Sequence, residues 1–304
     1  MMGFDFSQIG LVLKDLRLSI GMSQNVLCKG ICSQSQLSKI ESGEALPLAT
    51  TLYLLSNRLG VTVNHLFDLT ADGRLDYILD VKEQIRHLIR KKDYKSVFTL
   101  VQREEGNPNF MKNPSNRQFL LWHKGVSTFY IENNFHKAFS FLEEALAITK
   151  SSDRFLLEQE IAILNSMGAV HFDIKNTKES IRIFKKALNH IKSAPHHTYS
   201  LKINIRILFN LARSLTAEKE YQESLSLCQQ GIELSILQES LYLLGELNHY
   251  AAFNLILSGE AEKAKPFLDQ AATIFNMTHR KNYLVNVKHL RNLMEQQMET
   301  MPPG

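Results

Sequence analysis

The sequence of 304 residues contains few of the residues that disulfide-rich or strand-rich proteins need: 3 cysteines, 7 prolines and 14 glycines. So few cysteines argue against a disulfide framework and fit a reducing compartment. Because proline and glycine dominate turns, their scarcity favours a mostly helical protein over one with many short strands. No apolar run approaches the roughly 20 residues of a membrane helix, and the first residues lack the pattern of a secretory signal. We therefore expect a cytoplasmic protein with no membrane partner.

The sequence also lacks the short motifs of common enzymes. It contains no HExxH, no phosphate-binding loop, no GxGxxG, no GxSxG and no paired CxxC. The adjacent His196 and His197 have no third metal ligand near them in the sequence. We therefore predict that the protein is not an enzyme, with no catalytic residue, no metal site and no cofactor.

Length and composition indicate a folded chain of about two domains. The sequence is 44% hydrophobic and 22% charged, which is ordinary for a globular protein and excludes disorder. The formal net charge of +4 is unevenly distributed, because residues 1–73 are close to neutral and residues 74–125 are basic. A neutral N-terminal segment is a weak signal for nucleic acid, so a prediction of DNA binding depends on motif geometry.

The segment 1–70 has the periodicity of five short amphipathic helices. Ile9, Leu13, Leu16 and Ile20 follow one another at spacings of 4, 3 and 4, which predicts one face of a first helix. Four more helices are predicted over residues 24–29, 34–42, a segment after Pro47 with Leu48, Leu52, Leu55 and Leu59 on one face, and 63–67. Ser23 and Ser33 are the predicted N-caps of the second and third helices.

The three-residue break Gly30-Ile31-Cys32 between the second and third helices is typical of a helix-turn-helix. The segment GMSQNVLCKGICSQSQLSKIESG resembles the helix-turn-helix of the lambda-repressor/Cro-like family, and within it the PlcR-type regulators. This resemblance implies that the third helix lies in the major groove of double-stranded DNA.

Seven residues are the candidate DNA contacts that this resemblance implies. The predicted base-reading residues are Gln34, Ser35, Ser38 and Lys39. A glutamine can pair with adenine, a lysine can donate to guanine, and a serine can contact either base. The predicted phosphate contacts are Ser23, Gln24 and Ser33, at helix N-termini. The alternative is that each is a solvated polar residue on an amphipathic helix. Cys28 and Cys32 have no further metal ligand nearby, so we interpret Cys28 as a small buried apolar residue.

Residues 74–304 contain a repeat of helical hairpins. A small residue of the second helix recurs at nearly regular intervals, at Ala145, Ala187, Gly231 and Ala271. The pattern resembles the tetratricopeptide repeat (TPR), but these intervals exceed its usual period of roughly 34 residues. It predicts about five hairpins in a right-handed superhelix with a concave groove, beginning with residues 75–105 and closed by a helix over 282–298.

Polar residues on the predicted first helices are candidates for binding a peptide in that groove. The amides are Asn165, Asn204, Asn210 and Asn248, each able to donate to and accept from a peptide backbone. Arg90, Lys91 and Lys92 form a basic cluster at the tip of the first hairpin and can meet a carboxylate. The alternatives are that these amides face solvent or loops and that the basic run is simply solvated.

An all-α chain with a helix-turn-helix followed by degenerate TPR-like hairpins resembles the RNPP family of peptide-sensing transcription regulators. The resemblance implies a cytosolic bacterial homodimer that reads a pseudo-palindromic operator and binds a short signalling peptide. It maps the backbone-clamping amides onto Asn165 and Asn210 and the basic contacts onto Arg90 and Lys92. The predicted boundaries are 1–70 for the DNA-binding domain, 71–90 for a linker helix and 75–304 for the repeats. The alternatives are a regulator whose repeats bind a protein partner, or a repressor without a ligand.

Overall fold

The structure is a computed structural model that describes residues 7–70, 74–149, 156–195 and 198–300. All regular structure in these ranges is helical, which confirms the predicted all-α class. The chain divides into two compact units, Met1–His87 and Leu88–Gly304. None of the described helices is long and apolar enough to cross a membrane. His196 and His197 lie outside the described residues.

The first unit begins with the five short helices that the periodicity predicts. They are α1 (Ser7–Ser19), α2 (Gln24–Cys28), α3 (Gln34–Glu41), α4 (Ala49–Arg58) and α5 (Val63–Thr70). Their apolar faces meet in one core, in which Leu13, Leu27, Leu37, Leu55 and Leu66 are fully buried. The helix-turn-helix is therefore held by side chains from all five helices.

Two apolar residues at the ends of the predicted helical faces lie outside these helices and are exposed. Ile20 is 54% exposed because α1 ends at Ser19 and the chain turns through Gly21, whose φ is +69°. Leu48 is 70% exposed because it is the extended N-cap of α4 and precedes its first turn. Periodicity places a residue on a face only while the helix continues.

Helix α6 (Arg74–Arg90) follows the five helices and corresponds to the predicted linker. The first residues of that linker, 71–73, lie outside the described residues, and its role in joining the domains stays a prediction. The next helix, α7 (Tyr94–Glu104), begins after a turn in which Lys92 has a φ of +58°. The short helix α8 (Pro108–Met111) was not predicted and is capped by the side chain of Asn107.

Four helical hairpins and a final helix follow, in the order that the repeat predicts. The hairpins are α9 (Pro114–Glu132) with α10 (Phe135–Thr149), α11 (Glu158–Asp173) with α12 (Thr177–Ser193), α13 (Leu201–Ala217) with α14 (Tyr221–Leu237), and α15 (Leu244–Leu257) with α16 (Ala261–Met277). The final helix is α17 (Lys281–Thr300). The TPR-like repeat is therefore confirmed as a stack of hairpins.

Small residues allow the two helices of a hairpin to approach closely, as the repeat predicts. A Cβ atom on Gly168 would lie 2.7 Å from the ring of Phe184, and one on Gly125 would lie 2.9 Å from the carbonyl oxygen of Ala138. Ala187 is fully buried. Larger residues at such positions would push the helices apart.

The turns inside the four hairpins share one backbone conformation. Asn133, Lys175, Lys219 and Gly259 have φ values of +50°, +66°, +66° and +84°. Each of them precedes the small residue of the second helix in its own hairpin by the same number of positions. Each hairpin therefore closes through the same left-handed turn.

Candidate functional site

The serine side chains at the starts of α2 and α3 cap these helices as predicted. The Ser23 hydroxyl accepts a hydrogen bond from the backbone N–H of Val26 at 3.3 Å. The Ser33 hydroxyl accepts one from the backbone N–H of Gln36 at 3.1 Å. Both serines have the extended backbone of an N-cap, so both helices begin where the sequence predicts.

One side of α3 faces the core and the other faces solvent. Leu37 and Ile40 are buried. The four predicted base-reading residues, Gln34, Ser35, Ser38 and Lys39, are all exposed. The polar side of this helix is therefore available to a partner, which is what reading base edges in a major groove requires.

A hydrogen bond joins the first residues of α2 and α3. The amide nitrogen of Gln34 donates to Oε1 of Gln24 at 2.7 Å, and the amide nitrogen of Gln24 donates to Oε2 of Glu41 at 2.8 Å. This chain of bonds fixes the side chain of Gln34 at the exposed start of α3. Gln34 keeps its own Oε1 and a second N–H for a base edge.

Glu41 is itself held by Arg17 in a buried ion pair. Nε of Arg17 lies 2.7 Å from Oε1 of Glu41, and Nη2 of Arg17 lies 2.9 Å from Oε2. Nη1 of Arg17 donates to the carbonyl of Met22 at 2.8 Å. Burial would raise the pKa of Glu41, but hydrogen bonds from Arg17 and Gln24 outweigh burial and hold that pKa below its ordinary value. The pair anchors α3 to α1.

Neither this pair nor a second arginine that supports the motif was predicted. Arg17 and Glu41 are 24 residues apart on different helices, so no local spacing indicates that they meet. Nη1 of Arg58, from α4, donates to the carbonyl of Leu27 at 3.0 Å and also contacts the carbonyl of Lys29. Arg58 therefore caps the C-terminus of α2.

Cys28 is buried, as the sequence predicts. Cys28 is 5% exposed in the core of the first unit, and Cys28 and Cys32 are both free thiols. Among the described residues there is no cluster of three or more His, Cys, Asp or Glu side chains that could hold a metal ion.

A pocket of about 360 Å³ in the second unit contains two of the predicted peptide-binding residues, Lys92 and Asn210. It lies between the turn before α7 and the helices α9, α11, α12 and α13. Its other lining residues are Tyr94, Tyr130, Ala169, Phe172, Asp173, Phe184 and Arg213. We refer to it below as the Asn210 pocket.

A third predicted residue, Asn165, is not a lining residue of the Asn210 pocket but is hydrogen-bonded to Asn210. Asn165 is 8% exposed, and its Oδ1 accepts a hydrogen bond from Nδ2 of Asn210 at 2.8 Å. The bond leaves Oδ1 of Asn210 as an acceptor and Nδ2 of Asn165 as a donor. The two amides on neighbouring hairpins thus keep the complementary groups that a peptide backbone requires.

Two stacked tyrosines form one wall of the Asn210 pocket. The ring centroids of Tyr94 and Tyr130 are 4.0 Å apart with an angle of 13° between the ring planes. The Tyr130 hydroxyl donates to Oδ2 of Asp173 at 2.7 Å. Burial, reinforced by this carboxylate, raises the pKa of Tyr130 well above its ordinary value, so the phenol stays protonated at physiological pH.

The other predicted peptide-binding residues do not line this pocket. Arg90 is exposed at the end of α6. Asn204 precedes Asn210 by six residues on α13, which turns the two side chains about 120° apart around the helix. Asn248 is 1% exposed, and its Nδ2 donates to the carbonyl of Leu244 within its own helix. The roles of these three residues stay predictions.

Family models match both units of the chain. A helix-turn-helix model matches residues 13–66. The model of the RNPP family C-terminal domain matches residues 82–292, which is more than half of the chain. No match was found among curated proteins.

Several solved structures are similar along nearly the whole chain. PlcR from Bacillus thuringiensis, in complex with the peptide PapR7 and DNA, has a TM-score of 0.80 and 22% identity, covering 92% of this chain and 99% of PlcR. ComR from S. thermophilus, in complex with DNA and its signalling peptide ComS, has a TM-score of 0.62 and 17% identity, covering 95% and 99%. The pheromone receptor Rgg2 from Streptococcus dysgalactiae has a TM-score of 0.63 and 15% identity, covering 93% and 98%. At these identities the similarity shows the fold.

Proposed function

Because the chain belongs to the RNPP family, we propose that it is a transcription regulator that binds double-stranded DNA and is controlled by a short signalling peptide. The observation that carries the proposal is the presence, in one chain, of a helix-turn-helix with an exposed reading face and the RNPP C-terminal domain. The protein would act in the cytoplasm, where its DNA lies.

DNA would be read by α3. Gln34 and Lys39 are exposed on the side of α3 opposite its buried leucine and isoleucine. An amide can pair bidentately with adenine and an ammonium can donate to guanine, so both side chains suit major-groove edges. The hydrogen bond that Gln34 donates to Gln24 limits the rotamers of Gln34 before DNA binds, which reduces the loss of side-chain entropy on binding.

Phosphates would be held at the starts of α2 and α3. Ser23, Gln24 and Ser33 lie at these helix N-termini, where unpaired backbone N–H groups favour an anion. A homodimer would place two copies of α3 about one DNA turn, roughly 34 Å, apart on a pseudo-palindromic operator.

The peptide would lie along the Asn210 pocket, with its backbone clamped by Asn165 and Asn210. The hydrogen bond that Asn210 donates to Asn165 leaves Oδ1 of Asn210 as an acceptor and Nδ2 of Asn165 as a donor for a peptide unit. Peptide binding can change DNA affinity only if the protein has two conformations and the peptide binds them with different affinities. Helix α6, within the predicted linker 71–90, would carry that difference between the DNA-binding domain and the repeats.

The test uses the purified full chain in two steps. First, operator sequences are selected from a random duplex library, and their affinities are measured by fluorescence anisotropy against a scrambled duplex. Second, thermal stability is measured with synthetic peptides from short reading frames next to the gene. A cognate peptide at one hundred times its Kd should add about 2.7 kcal/mol of stability. We expect the same peptide to change the affinity for the selected operator.

The outcomes separate the parts of the proposal. Failure to select any DNA sequence would contradict the role of α3. Selective DNA binding that no peptide alters would contradict peptide control, and would favour a protein partner for the repeats or a repressor without a ligand.

A further inference from the structure

Arg213 presents a positively charged group to the Asn210 pocket, and the sequence analysis did not single it out. It lies on α13 three residues after Asn210, so both side chains are on nearly the same face of that helix. Its guanidinium carbon is 4.7 Å from the ring centroid of Phe172 and 5.7 Å from that of Phe209. Cation–π contacts at these distances hold the guanidinium in place without neutralising it.

The Asn210 pocket carries more positive than negative charge. Its charged lining residues are Lys92, Asp173 and Arg213. Asp173 accepts a hydrogen bond from the Tyr130 hydroxyl at 2.7 Å. Within the described parts of the chain, neither Lys92 nor Arg213 has a carboxylate close enough to form an ion pair. Two cations therefore line the Asn210 pocket without a carboxylate paired to either of them.

The shape of the Asn210 pocket suits a carboxylate on a short segment of peptide. A volume of about 360 Å³ is within the range of small-ligand sites. The stacked Tyr94 and Tyr130 offer an apolar wall beside the charges. The planar guanidinium of Arg213 can donate two parallel hydrogen bonds to a carboxylate, a geometry that the Lys92 ammonium cannot supply.

We propose that Arg213, assisted by Lys92, binds a carboxylate of the signalling peptide and thereby selects peptides that present an acidic group in the Asn210 pocket. This inference rests on the proposed function and names the chemical class of its ligand. The carboxylate belongs to the chain terminus of the peptide or to an aspartate or glutamate side chain. Asn165 and Asn210 would hold the backbone, while Arg213 would read the acidic group.

The test is affinity selection of defined peptide pools by the full-length protein, with recovered peptides counted by mass spectrometry. Four synthetic heptapeptide pools are used, with a free or amidated C-terminus and with or without Asp and Glu. We expect at least about tenfold enrichment of carboxylate-bearing peptides over the pool with none, because hydrogen bonds to charged groups discriminate at that level. Enrichment of the pools with a free C-terminus over the amidated pools identifies the terminal carboxylate. Enrichment of the pools with Asp and Glu over those without them identifies a side-chain carboxylate.

Three variants assign the selection to Arg213. Arg213→Gln should lower the enrichment to about onefold, which means no selection. Arg213→Lys keeps the positive charge and should retain part of the wild-type enrichment. Arg206→Gln is the matched control, because Arg206 lies on the same helix outside the pocket and donates to the Tyr242 hydroxyl at 2.6 Å. It should leave the enrichment unchanged. Equal melting temperatures for Arg213→Gln and the wild type would exclude loss of fold.

The outcomes distinguish this inference from the proposed function. Equal recovery of all four pools, or full enrichment by Arg213→Gln, would overturn the role of Arg213 while leaving peptide binding intact. Recovery of no peptide from any pool would overturn peptide control itself, and this inference with it.

Discussion

Arg17 and Glu41 form a buried, bidentate ion pair that ties α3 to α1, with N–O distances of 2.7 and 2.9 Å. The exposed fractions of the two residues are 7% and 2%. Gln24 donates to the same carboxylate, so the pair also orients the amide that contacts Gln34. A buried pair of this kind fixes geometry more than it adds net stability.

Glu41→Gln should destabilise the helix-turn-helix by about 3 kcal/mol, because it leaves the guanidinium of Arg17 buried without a counter-charge. Hydrogen exchange of α1 and α3, followed by mass spectrometry, reports this local opening. The double variant Arg17→Met, Glu41→Leu is the control and should recover most of the loss. Equal protection in the wild type and in Glu41→Gln would contradict the argument.

The same pair predicts acid sensitivity of the helix-turn-helix. The pKa of Glu41 is lower in the folded protein than its ordinary value of 4.5. Its contribution to stability is therefore complete above that ordinary value and is lost as the pH falls through the lower folded value. Hydrogen exchange should show α3 opening more readily at the acid end of this window in the wild type. Glu41→Gln should show a smaller dependence on pH.

Changes at Ser33 should separate stability from DNA affinity. Ser33→Ala removes the side-chain cap of α3 and should cost about 1 kcal/mol. Ser33→Asp restores a capping oxygen and should keep the stability, but its negative charge at the start of α3 should repel a DNA phosphate. Hydrogen exchange and fluorescence anisotropy measure the two effects. DNA affinity of Ser33→Asp equal to that of the wild type would place the phosphate elsewhere.

Replacing both Gln34 and Lys39 by alanine should remove operator selectivity while the fold remains intact. Each bidentate base contact contributes about 1–3 kcal/mol of discrimination, so selectivity should fall by tenfold or more. Competition between the selected and scrambled duplexes measures it. Asn57→Ala, an exposed change on α4, is the control. Selectivity that survives the double change would show that the recognition residues are assigned wrongly.

Asn210→Ala should weaken peptide binding without loss of basal DNA binding. It removes one clamp for the peptide backbone and leaves Oδ1 of Asn165 without its donor. A loss of about 1–3 kcal/mol is expected for an unmade hydrogen bond in a buried site. Calorimetry with the cognate peptide and anisotropy with the operator measure the two affinities. Unchanged peptide affinity would move the site out of this pocket.

Gly168→Ala should destabilise the repeat domain, because its Cβ would lie 2.7 Å from the ring of the buried Phe184. Overpacking of this kind costs about 1–3 kcal/mol. Denaturant unfolding followed by the fluorescence of Trp122, the single tryptophan of the chain, measures it. Gly106→Ala is the matched control, since its Cβ would meet no atom within 4 Å. Equal midpoints for the two variants would contradict the close packing.

Local signals allowed much of this architecture to be predicted. Ser33 caps α3 where its position before an apolar helix indicated. The small repeat residues Ala145, Ala187, Gly231 and Ala271 lie on the second helices of their hairpins, as the repeat predicted. Caps, turns and helix contacts inside one hairpin depend on residues close together in the sequence, so a periodic pattern records them.

Contacts between distant segments were not predictable in the same way. A Cβ on Gly10 would lie 1.8 Å from the carbonyl oxygen of Ile40, and no periodicity marks that approach of α1 to α3. Arg213 on α13 lies 4.7 Å from the ring centroid of Phe172 on α11, a contact between two hairpins. Such sites depend on how hairpins stack, which the sequence of one hairpin does not record.

The shared left-handed turn gives every hairpin the same internal closure. Because Asn133, Lys175, Lys219 and Gly259 lie inside their own hairpins, a duplicated hairpin would bring its closing turn with it, and only the junction to the next hairpin would be new. The groove then grows or shrinks by one hairpin at a time. Over evolution, the length of peptide that fits the groove would therefore change in steps of one hairpin. The side chains that the groove prefers would change separately, through single substitutions within a hairpin.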